Sequence, residues 1–146
     1  MTTTRRRLLI AEDHESVASS LTALLDPDYD VVAVVGNGSA VQAAVAQHRP
    51  ELVLLDLWLP GRNGLDLLTE LHRDFPEVRL MVLTMHADIV VAVEAMNRGA
   101  LGFILKDSGY EELQRALRQV FDGRPYLSPR VTGEAATTIF RDPGQF

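Results

Sequence analysis

The chain has 146 residues, a formal net charge of −6 and no cysteine. This length is typical of one globular domain that buries its own core, and the lack of cysteine excludes disulfide, iron–sulfur and thiolate–zinc chemistry. The acidic balance disfavours contact with a phosphate backbone, and the apolar runs are too short to span a bilayer. We therefore expect a cytosolic protein without a membrane partner, and a basic, solvated leader over residues 1–6.

Five short apolar runs alternate with stretches of helical periodicity. The runs cover residues 8–11, 31–35, 52–55, 80–83 and 102–105, and the helical stretches cover residues 16–25, 39–48, 65–74, 88–97 and 110–121. Runs that are apolar throughout are typical of strands covered on both faces, as in a parallel sheet. Because proline and glycine separate the elements, the pattern predicts five βα units with helices on both faces of the sheet.

The pattern changes to a linker-like segment after residue 122. Ser128 and Pro129 suit the N-cap and the first position of a short helix, which we expect to run to about Phe140. We therefore divide the chain into the leader, a globular domain over residues 7–122 and a linker over residues 123–146.

Polar residues that can take part in catalysis or metal binding follow four of the five predicted strands. Glu12 and Asp13 follow the first strand, Asp56 the third, Thr84 the fourth and Lys106 the fifth. Ligand sites of open parallel sheets lie beyond the carboxyl ends of the strands, so these side chains should converge on one edge.

The chemistry of this group indicates phosphoryl transfer. Three carboxylates close together repel one another, and a hard divalent cation such as Mg²⁺ would relieve that repulsion. A carboxylate can attack phosphorus, while an ammonium and a hydroxyl can hold the phosphoryl oxygens. The set predicts an aspartyl phosphate formed with Mg²⁺.

Short motifs at the strand ends carry a family resemblance. They are Glu12-Asp13, DLWLPGRNG at residues 56–64, Leu83-Thr84 and FILK at residues 103–106, and with them the sequence resembles a response-regulator receiver domain over about residues 7–122. Further motifs resemble the NarL/FixJ class of two-component regulators: Asp13-His14, LTMH at residues 83–86, GALGF at residues 99–103, Lys106-Asp107 and YLSP at residues 126–129. The resemblance implies a flavodoxin-like (CheY-like), doubly wound α/β fold with a five-stranded parallel sheet of order 2-1-3-4-5.

The resemblance also implies an acceptor and a metal site. Asp56 would accept a phosphoryl group from a sensor histidine kinase. Asp13 and Asp56 would ligate Mg²⁺ directly, Glu12 mainly through water, and Trp58 through its main-chain carbonyl. Trp58 is larger than the residue that many family members have at this position, so we expect its side chain to shield the phosphoryl group from water.

A conformational switch is implied in the same way. Thr84 would be the switch hydroxyl, Phe103 the switch aromatic and Lys106 the phosphate contact. Phosphorylation would change self-association, with a homodimer as the expected product.

The chain would catalyse only its own phosphorylation and dephosphorylation, and would turn over no outside substrate. In this class the linker leads to a helix-turn-helix domain that controls transcription. DNA contact is therefore expected only through such a domain, absent from these 146 residues. We expect the sequence to be the receiver part of a longer transcription factor; the alternative is a natural single-domain regulator.

Four alternative interpretations are weaker. A phosphohydrolase of the haloacid-dehalogenase type would need a second aspartate where Trp58 stands, and a pseudo-receiver would not need Asp56, Thr84 and Lys106 intact. The sequence GNG at residues 36–38 resembles the start of a dinucleotide fingerprint but lacks the third glycine, so a plain turn is favoured. The four histidines are not spaced as zinc ligands, although His86, two residues after Thr84, could either border the phosphate site or be an exposed loop residue.

Overall fold

Six parallel strands form one sheet in the computed structural model, which describes residues 5–131. The strands are β1 (Arg6–Ala11), β2 (Tyr29–Val35), β3 (Leu52–Leu55), β4 (Arg79–Thr84), β5 (Gly102–Leu105) and β6 (Tyr126–Leu127). The helices are α1 (Glu15–Leu25), α2 (Val41–His48), α3 (Gly64–Asp74), α4 (Ile89–Asn97) and α5 (Tyr110–Phe121). The spatial order is β2-β1-β3-β4-β5-β6.

The central strands are buried on both faces because helices pack on each side. All four residues of β3 and of β5 are buried. One core cluster joins one face of the sheet to α2, α3 and α4, and a second joins the opposite face to α1 and α5. Continuous burial explains why these strands lack the alternation of apolar and polar residues that a half-exposed strand shows.

Side-chain caps fix where two helices begin. Asn63 Oδ1 accepts hydrogen bonds from the backbone N–H groups of the first turn of α3, and Asp88 Oδ1 does the same for α4. A 3₁₀ turn, Gly38–Ala40, precedes α2, with Asn37 as its cap. Asn63 and Asp88 end the loops that follow Asp56 and Thr84, so these two caps help to hold those loops at the carboxyl edge of the sheet.

The flavodoxin-like order 2-1-3-4-5 is confirmed, but the predicted count of five strands was wrong. Tyr126 and Leu127 add a sixth strand that pairs in parallel with Gly102 and Phe103 of β5. A two-residue strand is too short for a periodic signal, and its pairing depends on the free edge of β5. Residues 129–131 continue as a helical turn, and the rest of the helix predicted to reach about residue 140 lies outside the described residues.

No helix among residues 5–131 is long and apolar enough to cross a membrane.

Candidate functional site

The carboxyl ends of the strands bring the candidate residues to one edge. Backbone hydrogen bonds continue past the strands: the N–H of Asp56 donates to the carbonyl of Ala11 at 3.0 Å, and the N–H of Lys106 donates to the carbonyl of Thr84 at 2.7 Å. Asp56 therefore lies beside the end of β1, from which Glu12 and Asp13 follow. The structure thus places all five strand-end residues predicted from the sequence at the same edge.

Lys106 is the centre of a buried charge cluster. Its Nζ lies 2.6 Å from Oε2 of Glu12 and 3.1 Å from Oδ2 of Asp56, and all three side chains are at least nine-tenths buried. Burial lowers the pKa of the Lys106 ammonium, but the contacts with Glu12 and Asp56 outweigh burial and raise the pKa above its usual value. The ammonium therefore stays charged and balances two buried carboxylates. It is also the only lysine in the sequence.

Four potential metal ligands lie within 4.8 Å of one another: Glu12, Asp13, His14 and Asp56. His14 Nδ1 contacts Oε1 of Glu12 at 2.9 Å and Oδ1 of Asp13 at 3.4 Å. Three carboxylates form the oxygen-rich set that Mg²⁺ prefers, and two of them are buried beside a single lysine. These residues therefore fit the cation that the sequence predicts. His14 belongs to this group although the sequence analysis gave it no role, and its position next to Asp13 was the available signal.

Asp56 is oriented through both carboxylate oxygens. Oδ1 accepts a hydrogen bond from the backbone N–H of Trp58 at 3.0 Å, while Oδ2 faces Lys106. On the next strand, the Thr84 hydroxyl accepts a hydrogen bond from the backbone N–H of His86 at 3.2 Å. The side chains of Asp56 and Thr84 are thus both held by the loop that follows them.

Two aromatic side chains meet at the mouth of the site. The Trp58 and His86 rings lie edge to face, with centroids 5.9 Å apart and planes at 84°. Trp58 is 61% exposed and His86 is also exposed. This contact joins the loop after β3 to the loop after β4, and it places His86 at the border of the site rather than away from it.

Phe103 lies beneath this edge and is fully buried. It sits on β5 opposite Val82 of β4, while Thr84 is opposite Leu105. The two predicted switch residues therefore occupy adjacent strands of the same sheet. No peptide bond among residues 5–131 is cis, so Lys106 and Asp107 are joined by a trans bond.

The glycine-rich segment after β2 packs against the protein itself. The N–H of Gly38 donates to the carbonyl of Pro60 at 2.8 Å, and Asn37 Oδ1 accepts from the N–H of Ser39. A Cβ at Gly61 would lie 2.2 Å from Asn37 Oδ1, so the two loops are in close contact. This packing supports the plain turn favoured by the sequence, because the loop at Pro60–Gly61 occupies the space beside the glycine-rich segment where a dinucleotide would lie.

A family model described as the response regulator receiver domain matches residues 8–118. The chain belongs to this family. The chain is 30% identical over 142 residues to the oxygen regulatory protein NreC of Staphylococcus carnosus, a match that covers 95% of this chain and 65% of that protein. The chain thus spans slightly less than two thirds of this longer relative.

Solved structures agree with this assignment. A crystal structure of a LuxR-family two-component response regulator from an Aurantimonas species is 27% identical, with a TM-score of 0.87 and coverage of 94% of this chain and 99% of that one. The signal receiver domain of the response regulator NarL from Mycobacterium tuberculosis is 26% identical, with a TM-score of 0.77 and coverage of 84% and 100%. The predicted resemblance to NarL-type receivers is confirmed.

Proposed function

We propose that this receiver domain is a phosphoacceptor switch that takes a phosphoryl group from a sensor histidine kinase onto Asp56. The observation that carries the proposal is the position of the Asp56 carboxylate, which is buried at the sheet edge between Lys106 and the backbone N–H of Trp58. A new P–O bond forms to an Asp56 oxygen as the P–N bond of the phosphohistidine breaks, and the electron pair leaves with the imidazole. The domain carries one phosphoryl group per cycle and turns over no separate substrate.

Glu12, Asp13 and Asp56 would hold Mg²⁺, together with the main-chain carbonyl of Trp58. The bound ion would neutralise charge on the phosphoryl oxygens during transfer. Lys106 supplies a second, fixed positive charge, and its raised pKa keeps it protonated at neutral pH. Lys106 already contacts the Asp56 carboxylate before the phosphoryl group arrives, so its charge lies at the acceptor and only its contact with Glu12 has to be exchanged.

The Thr84 hydroxyl and the Phe103 ring would transmit the change. The hydroxyl turns toward a phosphoryl oxygen, and the ring of Phe103 moves toward the space that the hydroxyl leaves. Phosphate thereby biases a two-state repacking of β4 and β5. We infer that this repacking alters self-association toward a homodimer, which sedimentation of the free and activated protein would detect.

The named relatives suggest how the signal is used. They include an oxygen regulatory protein and a LuxR-family response regulator. We infer that the output is control of transcription, with DNA bound by a C-terminal domain beyond the receiver fold.

Incubation with Mg²⁺ and acetyl phosphate tests the acceptor. We expect intact-mass spectrometry to show one added phosphoryl group, sensitive to hydroxylamine, that Asp56→Asn abolishes. Asp28→Asn is a matched control because Asp28 is exposed and its carboxylate accepts a hydrogen bond from Gln114, away from the strand ends that carry Asp56. Hydroxylamine-sensitive phosphate retained on Asp56→Asn would overturn the assignment.

A further inference from the structure

The segment Tyr126–Val131, hereafter the strap, is bonded to the strand that carries the switch aromatic. The N–H of Tyr126 donates to the carbonyl of Leu101 at 3.0 Å, and the N–H of Ser128 donates to the carbonyl of Phe103 at 2.9 Å. The strap therefore extends the sheet at the β5 edge, and one of its hydrogen bonds ends on Phe103 itself.

Side chains of the strap attach to α5 and to the loop after Lys106. Oε1 of Glu112 accepts hydrogen bonds from the Tyr126 hydroxyl at 2.8 Å and from the Ser128 hydroxyl at 3.2 Å. The Arg130 guanidinium pairs with Asp107 at 2.5 Å. Asp107 directly follows Lys106, so an ion pair of the strap lies one residue from the charge cluster of the site.

The end of the strap is buried with the switch residue. Val131 is fully buried and belongs to the same core cluster as Phe103. Arg130 borders the groove that also contains Thr84, Trp58 and His86. The strap is thus attached to the switch region by backbone pairing, by side-chain polar contacts and by apolar packing.

We propose that the strap is a latch that stabilises the resting receiver and that activation at Asp56 loosens it. The proposal rests on the proposed phosphoacceptor function. When the Phe103 ring moves toward Thr84, the cluster that buries Val131 loses part of its packing. When Lys106 turns from Glu12 to a phosphoryl oxygen, the loop that holds Arg130 through Asp107 is displaced.

Coupling of this kind is reciprocal. If activation weakens docking of the strap by some factor, then undocking of the strap must favour activation by the same factor, and a substitution that weakens docking shifts activation in that direction by up to that factor. The segment that follows the receiver fold is therefore an output element, because its release is the first change that reaches whatever the strap leads to.

Beryllofluoride with Mg²⁺, an analogue of the phosphoryl group, tests the latch. Binding is followed by the fluorescence of Trp58, the only tryptophan, and by hydrogen exchange of the loop at residues 56–62. We expect exchange in residues 126–131 to accelerate when beryllofluoride binds. We also expect Val131→Ala to bind beryllofluoride at least five-fold more tightly than the unaltered protein, which is the lower end of usual coupling strengths.

Arg130→Gln provides a second variant that does not threaten folding, because the Arg130 side chain is 58% exposed. We expect it to tighten binding in the same direction by a smaller factor. Arg124→Gln is the matched control, since Arg124 lies outside the strap, is exposed and pairs only weakly with Asp122 at 3.7 Å. It should leave the affinity unchanged.

The outcomes separate the two proposals. If beryllofluoride binds and protects residues 56–62, but exchange in the strap and the affinities of Val131→Ala and Arg130→Gln are unchanged, the latch is refuted and the phosphoacceptor function stands. If the loop at residues 56–62 shows no response to beryllofluoride, the phosphoacceptor function fails and the latch fails with it.

Discussion

The Trp58 side chain controls access of water to Asp56 in our interpretation of the site. Hydrolysis of an aspartyl phosphate requires a water molecule in line with the breaking bond, opposite the Asp56 oxygen. The Trp58 ring meets the His86 ring edge to face at the mouth of the site, with centroids 5.9 Å apart. It offers no carboxylate or amide to orient a water molecule. We therefore predict that Trp58→Asn shortens the lifetime of the phosphorylated state.

The geometry of the ring pair limits the size of the effect. An edge-to-face aromatic pair contributes about 0.5–1.5 kcal/mol beyond area burial. If water enters only while the two rings are apart, that free energy slows hydrolysis by roughly two-fold to just over ten-fold. The 61% exposure of Trp58 means that little else holds the ring in place, so a much larger effect is not expected.

Decay of the phosphorylated protein can be measured by intact mass after removal of acetyl phosphate, at one fixed Mg²⁺ concentration. We expect Trp58→Asn and His86→Ala each to decay faster, by up to about ten-fold, and the double variant to decay little faster than either, because both changes break the same contact. Trp58→Phe keeps an aromatic ring and is the control. Equal lifetimes for the unaltered protein and Trp58→Asn would show that only the backbone of Trp58 matters.

Three further predictions concern the metal, the packing and the pH dependence. Mg²⁺ should bind at least about five-fold more tightly when beryllofluoride is present, measured by calorimetry, because each ligand favours the other. Gly64→Ala should lower the free energy of unfolding by about 1–3 kcal/mol in urea titrations, because its Cβ would lie 2.2 Å from the Leu57 carbonyl oxygen. Gly36→Ala is the control: its Cβ would meet no atom closer than 3.7 Å, so the free energy of unfolding should change little. Burial raises the pKa of the Tyr29 hydroxyl above its usual value of 10.0. The stability that the neutral hydroxyl contributes is therefore complete below pH 10.0 and is lost as the pH rises through the higher folded-state pKa. In alkaline unfolding titrations, Tyr29→Phe should lose less stability than the unaltered protein.

Most of the fold follows from local patterns in the sequence. The predicted helix at residues 110–121 and the predicted strands at residues 52–55 and 102–105 match the observed elements, because burial and helical periodicity are continuous there. The predicted helix at residues 39–48 matches α2 over residues 41–48, and its first residues belong to the 3₁₀ turn that Asn37 caps. β6 was not predicted because it forms by pairing with β5, more than twenty residues earlier in the chain, and such a pairing leaves no local sequence pattern.

The site was predictable to the extent that it follows from topology. A parallel sheet brings the residues after its strands together, so Glu12, Asp56 and Lys106 could be placed at one edge without a structure. The contacts between side chains could not be predicted from the sequence. The pairing of Trp58 with His86, and the position of Arg130 beside Asp107, depend on loop conformations that the sequence pattern does not specify.

The raised pKa of Lys106 also bears on the chemical survival of the phosphorylated state. An aspartyl phosphate is an activated acyl group, and a neutral amine 3.1 Å from the Asp56 carboxylate would be placed to attack its carbonyl carbon. That reaction would expel phosphate and join the two side chains by a permanent amide crosslink. Before phosphorylation the contacts with Glu12 and Asp56 raise the pKa of the Lys106 ammonium. In the phosphorylated state the charge of the phosphoryl oxygens replaces that of Asp56, so the nitrogen stays protonated and has no free lone pair for attack. The negative charge around Lys106, from Glu12 and then from the phosphoryl group, thus protects the acceptor from a neighbouring nucleophile, and each cycle can end in hydrolysis with the aspartate restored.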